Sequence, residues 1–278
     1  MEQRVAIVTG GLRGLGCAMA FGLAREGHSV LAVGHIEADV EEVEAATAGA
    51  NLTGHILPLV ADLRRPAECD RVAALAQERL GPPQILVNNA GLTFTTIDPA
   101  RFRRAEPQKF WQVPDDIVHA VIETNYIAAD QMARRVAPSM VEQGWGRIVN
   151  VTTKLDTMNR AHTSPYGASK AALEIATEVW SKEVEGTGLT INIVNPGAGA
   201  NTPGMAEEMR TMSREGRAPR LVEPDEMVPP LLYVVSREAD NVNGWRFDAN
   251  LWDAGLPPTE AARRAGRPAG FEMHLQPD

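Results

Sequence analysis

Residues 4–26 narrow the available folds more than any other stretch of the chain. Arg4-Val5-Ala6-Ile7-Val8-Thr9 is a short run rich in Val and Ile. It leads into Gly10-Gly11-Leu12-Arg13-Gly14-Leu15-Gly16 and then an apolar helical pattern from Cys17 to Glu26. A continuous apolar run of this length reads as a strand buried on both faces, as in parallel sheets covered by helices. Glycines let the loop turn tightly and approach a phosphate closely. The first amides of the helix then face the anion with the helix dipole behind them. The glycines at 10, 14 and 16 are spaced G-x-x-x-G-x-G, not G-x-G-x-x-G. A glycine turn without a ligand is the bland alternative; the flanking strand and helix favour nucleotide binding.

The alternation continues along the chain. Residues 29–33, 55–60, 84–87, 147–151 and 189–194 read as further strands, and 245–247 as a last short one. Helical patterns fall at 37–49, 66–80, from Pro114 onward, from Tyr166 to 185, and at 224–236. Such alternation predicts an α/β fold: a Rossmann-like, doubly wound parallel sheet of about seven strands flanked by helices. With no internal repeat, low-complexity tract or linker, residues 1–255 are expected to form a single domain. The Pro-, Arg- and Gly-rich tail at 256–278 is expected either to wander or to dock on a neighbouring subunit. Pro138 is expected to bend or break its helix. Segments 92–113 and 198–222 show no regular pattern. The first reads equally well as a pocket cover, a surface excursion or a subunit contact.

Composition removes several function classes. The net charge of -9 argues against nucleic acid as a partner. Cys17 and Cys69 have no metal-ligand spacing, so no metal site is expected, and low cysteine use fits a reducing compartment. The N-terminus runs straight into a strand. No stretch reaches the roughly 18 apolar residues of a membrane helix. A soluble, cytoplasmic protein without a membrane partner is expected.

Tyr166 and Lys170, four residues apart on a helical run, share a face one turn apart. A nearby cation favours a phenolate, so the pair predicts a phenol lowered toward the range of a general acid or base. Thr153 follows the strand at 147–151 and can bring a hydroxyl to the start of that helix. A buried Tyr beside a solvated Lys is the alternative for this pair alone. The second strand ends in Gly34-His35 with no carboxylate to bond the adenosine 2′-hydroxyl. Arg13 and His35 offer positive or donor character there, which favours NADP over NAD; in the opposite reading Arg13 is merely solvated and Glu37 reaches the ribose.

Taken together these motifs resemble the short-chain dehydrogenase/reductase family, in its single-domain branch of about 250 residues, over residues 4–250. Thr9 to Gly16 is similar to the family's T-G-x-x-x-G-x-G loop, and Asn88-Asn89-Ala90-Gly91 to its N-N-A-G element. Tyr166-Gly167-Ala168-Ser169-Lys170 matches Y-x-x-x-K, and Asn195-Pro196-Gly197 matches N-P-G. The resemblance implies Tyr166 as acid/base, Lys170 as the group that lowers it and binds the nicotinamide ribose, and Asn125 as support for a water-linked relay. Thr153 stands where a serine is usual, with Thr152 as the fallback. It implies cofactor contacts at Gly10, Leu12, Arg13, Gly14, Leu15, Gly16, His35, Asp62, Leu63, Asn89, Ala90, Gly91, Tyr166, Lys170, Pro196, Gly197 and Thr202. The implied activity is hydride transfer between NADP (or NAD) and a ketone or secondary alcohol, in a homo-oligomer, either tetramer or dimer. An epimerase- or dehalogenase-like chemistry and a non-catalytic nucleotide-binding role remain as alternatives.

Overall fold

The computed structural model describes residues 2–271. Its elements in chain order are β1 (Val5–Thr9), α1 (Gly14–Arg25), β2 (Ser29–Gly34), α2 (Ala38–Gly49), β3 (His55–Val60), α3 (Pro66–Arg79), β4 (Ile85–Asn88) and α4 (Phe94–Ile97). There follow α5 (Asp115–Ile122), α6 (Ala128–Glu142), β5 (Gly146–Asn150), α7 (Leu155–Asn159), α8 (Tyr166–Glu183), β6 (Leu189–Asn195), α9 (Glu207–Arg214), α10 (Val228–Val234), β7 (Trp245–Asp248), α11 (Pro258–Ala265) and β8 (Gly266–Pro268). The strands form one sheet in the order β3-β2-β1-β4-β5-β6-β7-β8. All neighbours are parallel except β7 and β8.

The strand periodicity of two sorts the core onto both faces of this sheet. Ala6 and Val8 face Met19, Leu23, Leu231 and Val234 of α1 and α10. Ile7, Leu31 and Val33 face Val72 and Ala76 of α3 and Met132, Val136 and Met140 of α6. Each such buried Leu, Ile or Met contributes about 2 kcal/mol relative to exposure. The chain builds outward from β1 to β3, then returns to place β4 on the other side of β1. That reversal opens a crevice at the carboxyl ends of β1 and β4, where doubly wound sheets bind ligands.

Two expectations need correction. Pro138 lies within α6, yet the helix runs on to Glu142. Buried Val136 and Met140 on either side of it hold the helix to the sheet, and packing outweighs the lost hydrogen bond. The stretch after residue 256, as far as it is described, does not wander. Ala261, Ala262 and Ala265 are buried in α11, and β8 pairs with β7 through Trp245↔Pro268, Arg246↔Arg267 and Phe247↔Gly266. The sheet therefore has eight strands. Residues 272–278, the end of that tail, lie outside the described residues.

Candidate active site

The glycine loop sits at the crevice, and its tightness explains its composition. A Cβ on Gly16 would lie 2.1 Å from the Gly10 carbonyl oxygen and 2.4 Å from Asn89 Nδ2. Gly10 itself has φ +61. Asn89 Nδ2 donates to the Thr9 and Gly10 carbonyls at 3.0 and 3.1 Å. Thr9 Oγ1 accepts from the backbone amides of Asn89 and Ala90 at 3.0 and 3.1 Å. The Asn89 side chain, an adenine contact by resemblance, is thus engaged in holding the loop. Leu12 is buried against Gly34, and Leu15 packs on the core. A Cβ on Gly14 would lie 3.3 Å from Thr202, so the loops after β1 and β6 touch. The N-terminus of α1 has no side-chain cap and no acidic residue in its first turn, which suits an anion.

Around the second strand the residues divide. His35 and Glu37 are exposed. Arg13 is half-exposed, and its Nε lies 3.5 Å from the carboxylate of Asp39, which is buried in the first turn of α2. Sequence reasoning weighed Glu37 and missed Asp39, two residues further on. Asp62 accepts from Arg64 through Nε at 2.9 Å, Nη2 at 2.7 Å and the backbone amide at 3.2 Å. The Arg64 guanidinium holds the Asp62 carboxyl below its ordinary range. Leu63 beside it is buried. On the far side of the crevice, Gly197 N–H donates to Asn195 Oδ1 at 2.8 Å, and Pro196 is buried.

The four candidate catalytic groups converge beside β4 and β5. Lys170 is buried, and its Nζ donates to the Val151 carbonyl at 2.8 Å. Burial draws its ammonium down to about 8. Asn125 occupies a π-helical turn (Glu123–Ile127) between α5 and α6, a distortion frequent at functional sites. Its Oδ1 accepts from Leu92 N at 2.7 Å, and its Nδ2 donates to Leu92 O at 3.1 Å and to Ser169 Oγ at 2.9 Å. It thereby joins the loop after β4 to the Tyr166 helix. A Cβ on Gly91 would lie 3.3 Å from Asn125 Oδ1 and 3.5 Å from Lys170 Nζ, so the absent side chain keeps the floor of the crevice open beside both groups.

Burial raises the Tyr166 phenol above its ordinary value, and a hydrogen bond with the Thr153 side chain opposes that rise. The lowering expected from Lys170 does not govern the phenol, because the ammonium is directed at the Val151 carbonyl. Thr152 faces the other way, its hydroxyl donating to Glu174 at 2.9 Å. Of the two threonines, Thr153 is the one beside Tyr166.

Phe94 in α4 packs on Tyr166 with ring centroids 4.7 Å apart, and the Arg101 guanidinium lies 4.3 Å from the Phe94 ring centroid. Sequence reasoning missed both, since they fall in the patternless segment 92–113. That segment and 198–222 meet over the carboxyl ends of the strands. Thr93 and Thr95 hydroxyls both donate to the Gly204 carbonyl, at 2.8 and 2.9 Å, and Arg103 donates to Glu208 at 2.8 Å. A cavity of about 410 Å³ opens nearby, lined by Phe110, Trp111, Met158, Thr163 and Ala168 among others. Among the described residues no cluster of His, Cys, Asp or Glu is arranged to hold a metal, and no helix is long and apolar enough to cross a membrane.

Fold and site together define a doubly wound α/β protein with a nucleotide crevice and a Tyr/Lys pair at its edge. Residues 4–213 match the family model for short chain dehydrogenase. The chain is 31% identical over 210 residues to the ketoacyl reductase HetN of Nostoc, covering 76% of this chain and 68% of that protein. It is 30% identical to the 3-oxoacyl-(acyl-carrier-protein) reductase FabG of Pseudomonas aeruginosa, covering 90% of this chain and 97% of that protein. Among solved structures, a putative NAD(P)-dependent gluconate 5-dehydrogenase from Beutenbergia cavernae with bound NADP superimposes with a TM-score of 0.73. The two are 30% identical, covering 88% of this chain and 94% of that one. The chain belongs to the short-chain dehydrogenase family. It is an NAD(P)-dependent oxidoreductase acting with a nicotinamide cofactor.

Proposed function

We propose that the protein is an NADP-dependent reductase that interconverts a ketone and a secondary alcohol, with Tyr166 as its general acid and base. The observation that carries this reading is the placing of Tyr166 one turn from the buried, carbonyl-held ammonium of Lys170 on α8, with Asn125 bonded to the same helix through Ser169. The residues fit the cofactor: the uncapped start of α1 and the close-packed glycine loop suit its phosphates, and Gly91 leaves space beside Lys170 and Asn125 for the nicotinamide end. When bound, the nicotinamide supplies the hydride that reaches the carbonyl carbon. Thr153 and Tyr166 hold the carbonyl oxygen between their hydroxyls. As charge develops on that oxygen, Thr153 donates a hydrogen bond and Tyr166 delivers its proton from Oη. Lys170, charged at neutral pH and held by the Val151 carbonyl, is one helix turn from Tyr166 and favours the phenolate only as the proton leaves. Phe94 covers one side of the Tyr166 ring, and the Thr93 and Thr95 hydroxyls tie its loop to Gly204.

NADP is the preferred cofactor in this reading because Arg13 is half-exposed at the loop and no carboxylate ends β2. One observation favours NAD instead: Asp39 already partners Arg13 and would repel a 2′-phosphate. Fluorescence titration with NADPH and with NADH separates the two. Tighter NADPH binding is expected, and tighter NADH binding transfers the selection to Asp39. The names of the relatives point to 3-oxo compounds, so the first substrates to screen are 3-oxoacyl thioesters and 3-oxo esters. Tyr166→Phe is expected to lower kcat by about 10²–10⁴-fold while leaving cofactor binding intact. Normal turnover by that variant would remove Tyr166 from the chemistry.

A further inference from the structure

Residues 151–153 leave the sheet: the ladder between β5 and β6 ends at Asn150↔Ile193. The Val151 amide still bonds the Asn88 carbonyl of β4 at 2.9 Å, but the Val151 and Thr153 carbonyls and the Thr152 hydroxyl are taken up by charged side chains. Lys170 Nζ donates to the Val151 carbonyl at 2.8 Å. The Thr152 hydroxyl donates to Glu174 Oε2 at 2.9 Å. Arg246 Nη2 donates to the Thr153 carbonyl at 2.6 Å, and its Nη1 donates to Glu174 Oε2 at 2.7 Å and to Thr152 Oγ1 at 3.1 Å. Arg246 and Glu174 are both completely buried.

A buried ion pair is weak support for stability, because desolvation of the two charges offsets their attraction. Its geometric effect here is specific. Glu174 lies one turn after Lys170 and two turns after Tyr166 on α8, on the same face. The guanidinium fork of Arg246 reaches from β7 to that face and to the backbone of Thr153 in one step. It also contacts Asp248 at 3.1 Å, and Asp248 accepts from Asn195, whose Oδ1 holds the amide of Gly197. One buried cluster therefore fixes the segment that carries Thr153, the helix that carries Tyr166 and the loop at Gly197.

We propose that Arg246 and Glu174 are positioning residues that set the Thr153 hydroxyl against Tyr166, an inference that rests on the roles assigned above to those two groups. Neither touches the reacting atoms. They act by fixing the Thr153 main chain, so the angle at which its hydroxyl meets the phenol follows from the Arg246 fork and the Glu174 carboxylate.

The test removes the cluster without leaving a lone charge. Thr152→Val, Glu174→Leu and Arg246→Met together replace it with apolar groups of similar size. The probe substrate is ethyl acetoacetate with NADPH, and a second, substrate-free readout is the titration of Tyr166 followed by NMR of labelled tyrosine. The chain has only three tyrosines, and Tyr166→Phe assigns the signal. Lys170 and Arg101 stay in place, so a change in the phenol reports on Thr153. The variant is expected to bind NADPH within about twofold of wild type and to lose roughly tenfold to hundredfold in kcat. Its Tyr166 should titrate at higher pH, having lost the Thr153 hydrogen bond. A folded variant with wild-type kcat and an unmoved Tyr166 titration overturns the proposal. If the triple variant does not fold, Glu174→Gln keeps the shape and decides the matter in its place: several-fold lower kcat with a displaced titration supports positioning, and no change in either refutes it. Normal turnover by Tyr166→Phe would refute the underlying roles instead.

Discussion

Lys170 offers the sharpest quantitative test of the site. The side chain is 3% exposed, no carboxylate pairs with it among the described residues, and its one protein acceptor is the neutral Val151 carbonyl. An ammonium in such a place gives up hydration without recovering a counter-charge. Burial therefore brings it from 10.5 to about 8. That gap corresponds to about 3 kcal/mol of stability. The sign follows from proton counting. Between pH 8 and 10.5 the unfolded chain holds a proton on Lys170 that the folded chain has released, so folding gains as pH rises through this window. Below pH 8 both states are charged and the full cost is present. Two measurements check this. NMR of labelled lysine side chains should show one of the four lysines titrating near pH 8, with that signal missing from Lys170→Met. Urea unfolding from about pH 7.5 to about pH 10 should give a wild-type stability that rises relative to Lys170→Met. A Lys170 midpoint near 10.5, with parallel stability curves, would refute the burial argument and with it the picture of a bare cation beside the phenol.

Other parts of the chain give equally direct tests. His28 is buried, its Nδ1 accepts from the Arg4 amide at 3.1 Å, and its Nε2 has no partner among the described residues. Burial lowers it from 6.5 to about 4, so stability should fall by about 3 kcal/mol as pH drops through that window and only the unfolded chain takes up the proton. His28→Asn keeps an acceptor for Arg4 and should flatten this acid slope in urea titrations; an unchanged slope would exclude His28 as its source. Gly16→Ala places a methyl 2.1 Å from the Gly10 carbonyl, and the backbone there has no room to yield. NADPH affinity should fall at least about tenfold, since the loop must open to accept the methyl, and near-normal affinity would mean that the loop is looser than its packing implies.

Much of the scaffold was legible because it depends on local signals. The apolar run at Val5–Thr9, the glycine loop and the spacing of Tyr166 and Lys170 each declare themselves within a short stretch of sequence. What escaped depends on partners far apart in the chain. Arg246 meets Thr153 and Glu174 only because β7 is laid beside β6 and α8 crosses the sheet, and no period or motif marks that meeting. Asp39 was overlooked in favour of Glu37 because proximity in sequence was used where the turn into α2 decides which acid points inward. Asn89 was read from its motif as a ligand contact; that its side-chain amide also bonds the loop carbonyls is a structural role the motif does not declare. The phenol was expected to follow the nearest cation, but desolvation of both groups and the direction of Lys170 outweigh their spacing on the helix. Pro138 shows the same limit from the other side, a local breaker overruled by the core around it.

The chain after β8 returns to α8. After β8, the backbone turns at Gly270, whose amide lies 3.4 Å from Glu174 Oε1 and whose missing side chain would collide with Glu178. The strand edge that β8 adds therefore works as a stopper. It shuts the Arg246–Glu174 pair off from solvent at the side of the sheet that would otherwise be open. Ending the chain just after β7 would take this stopper out and let water reach the charges behind Thr153, far away in sequence. For anyone shortening or tagging this chain, the boundary lies beyond Gly270, whose turn meets Glu174 and Glu178 on α8.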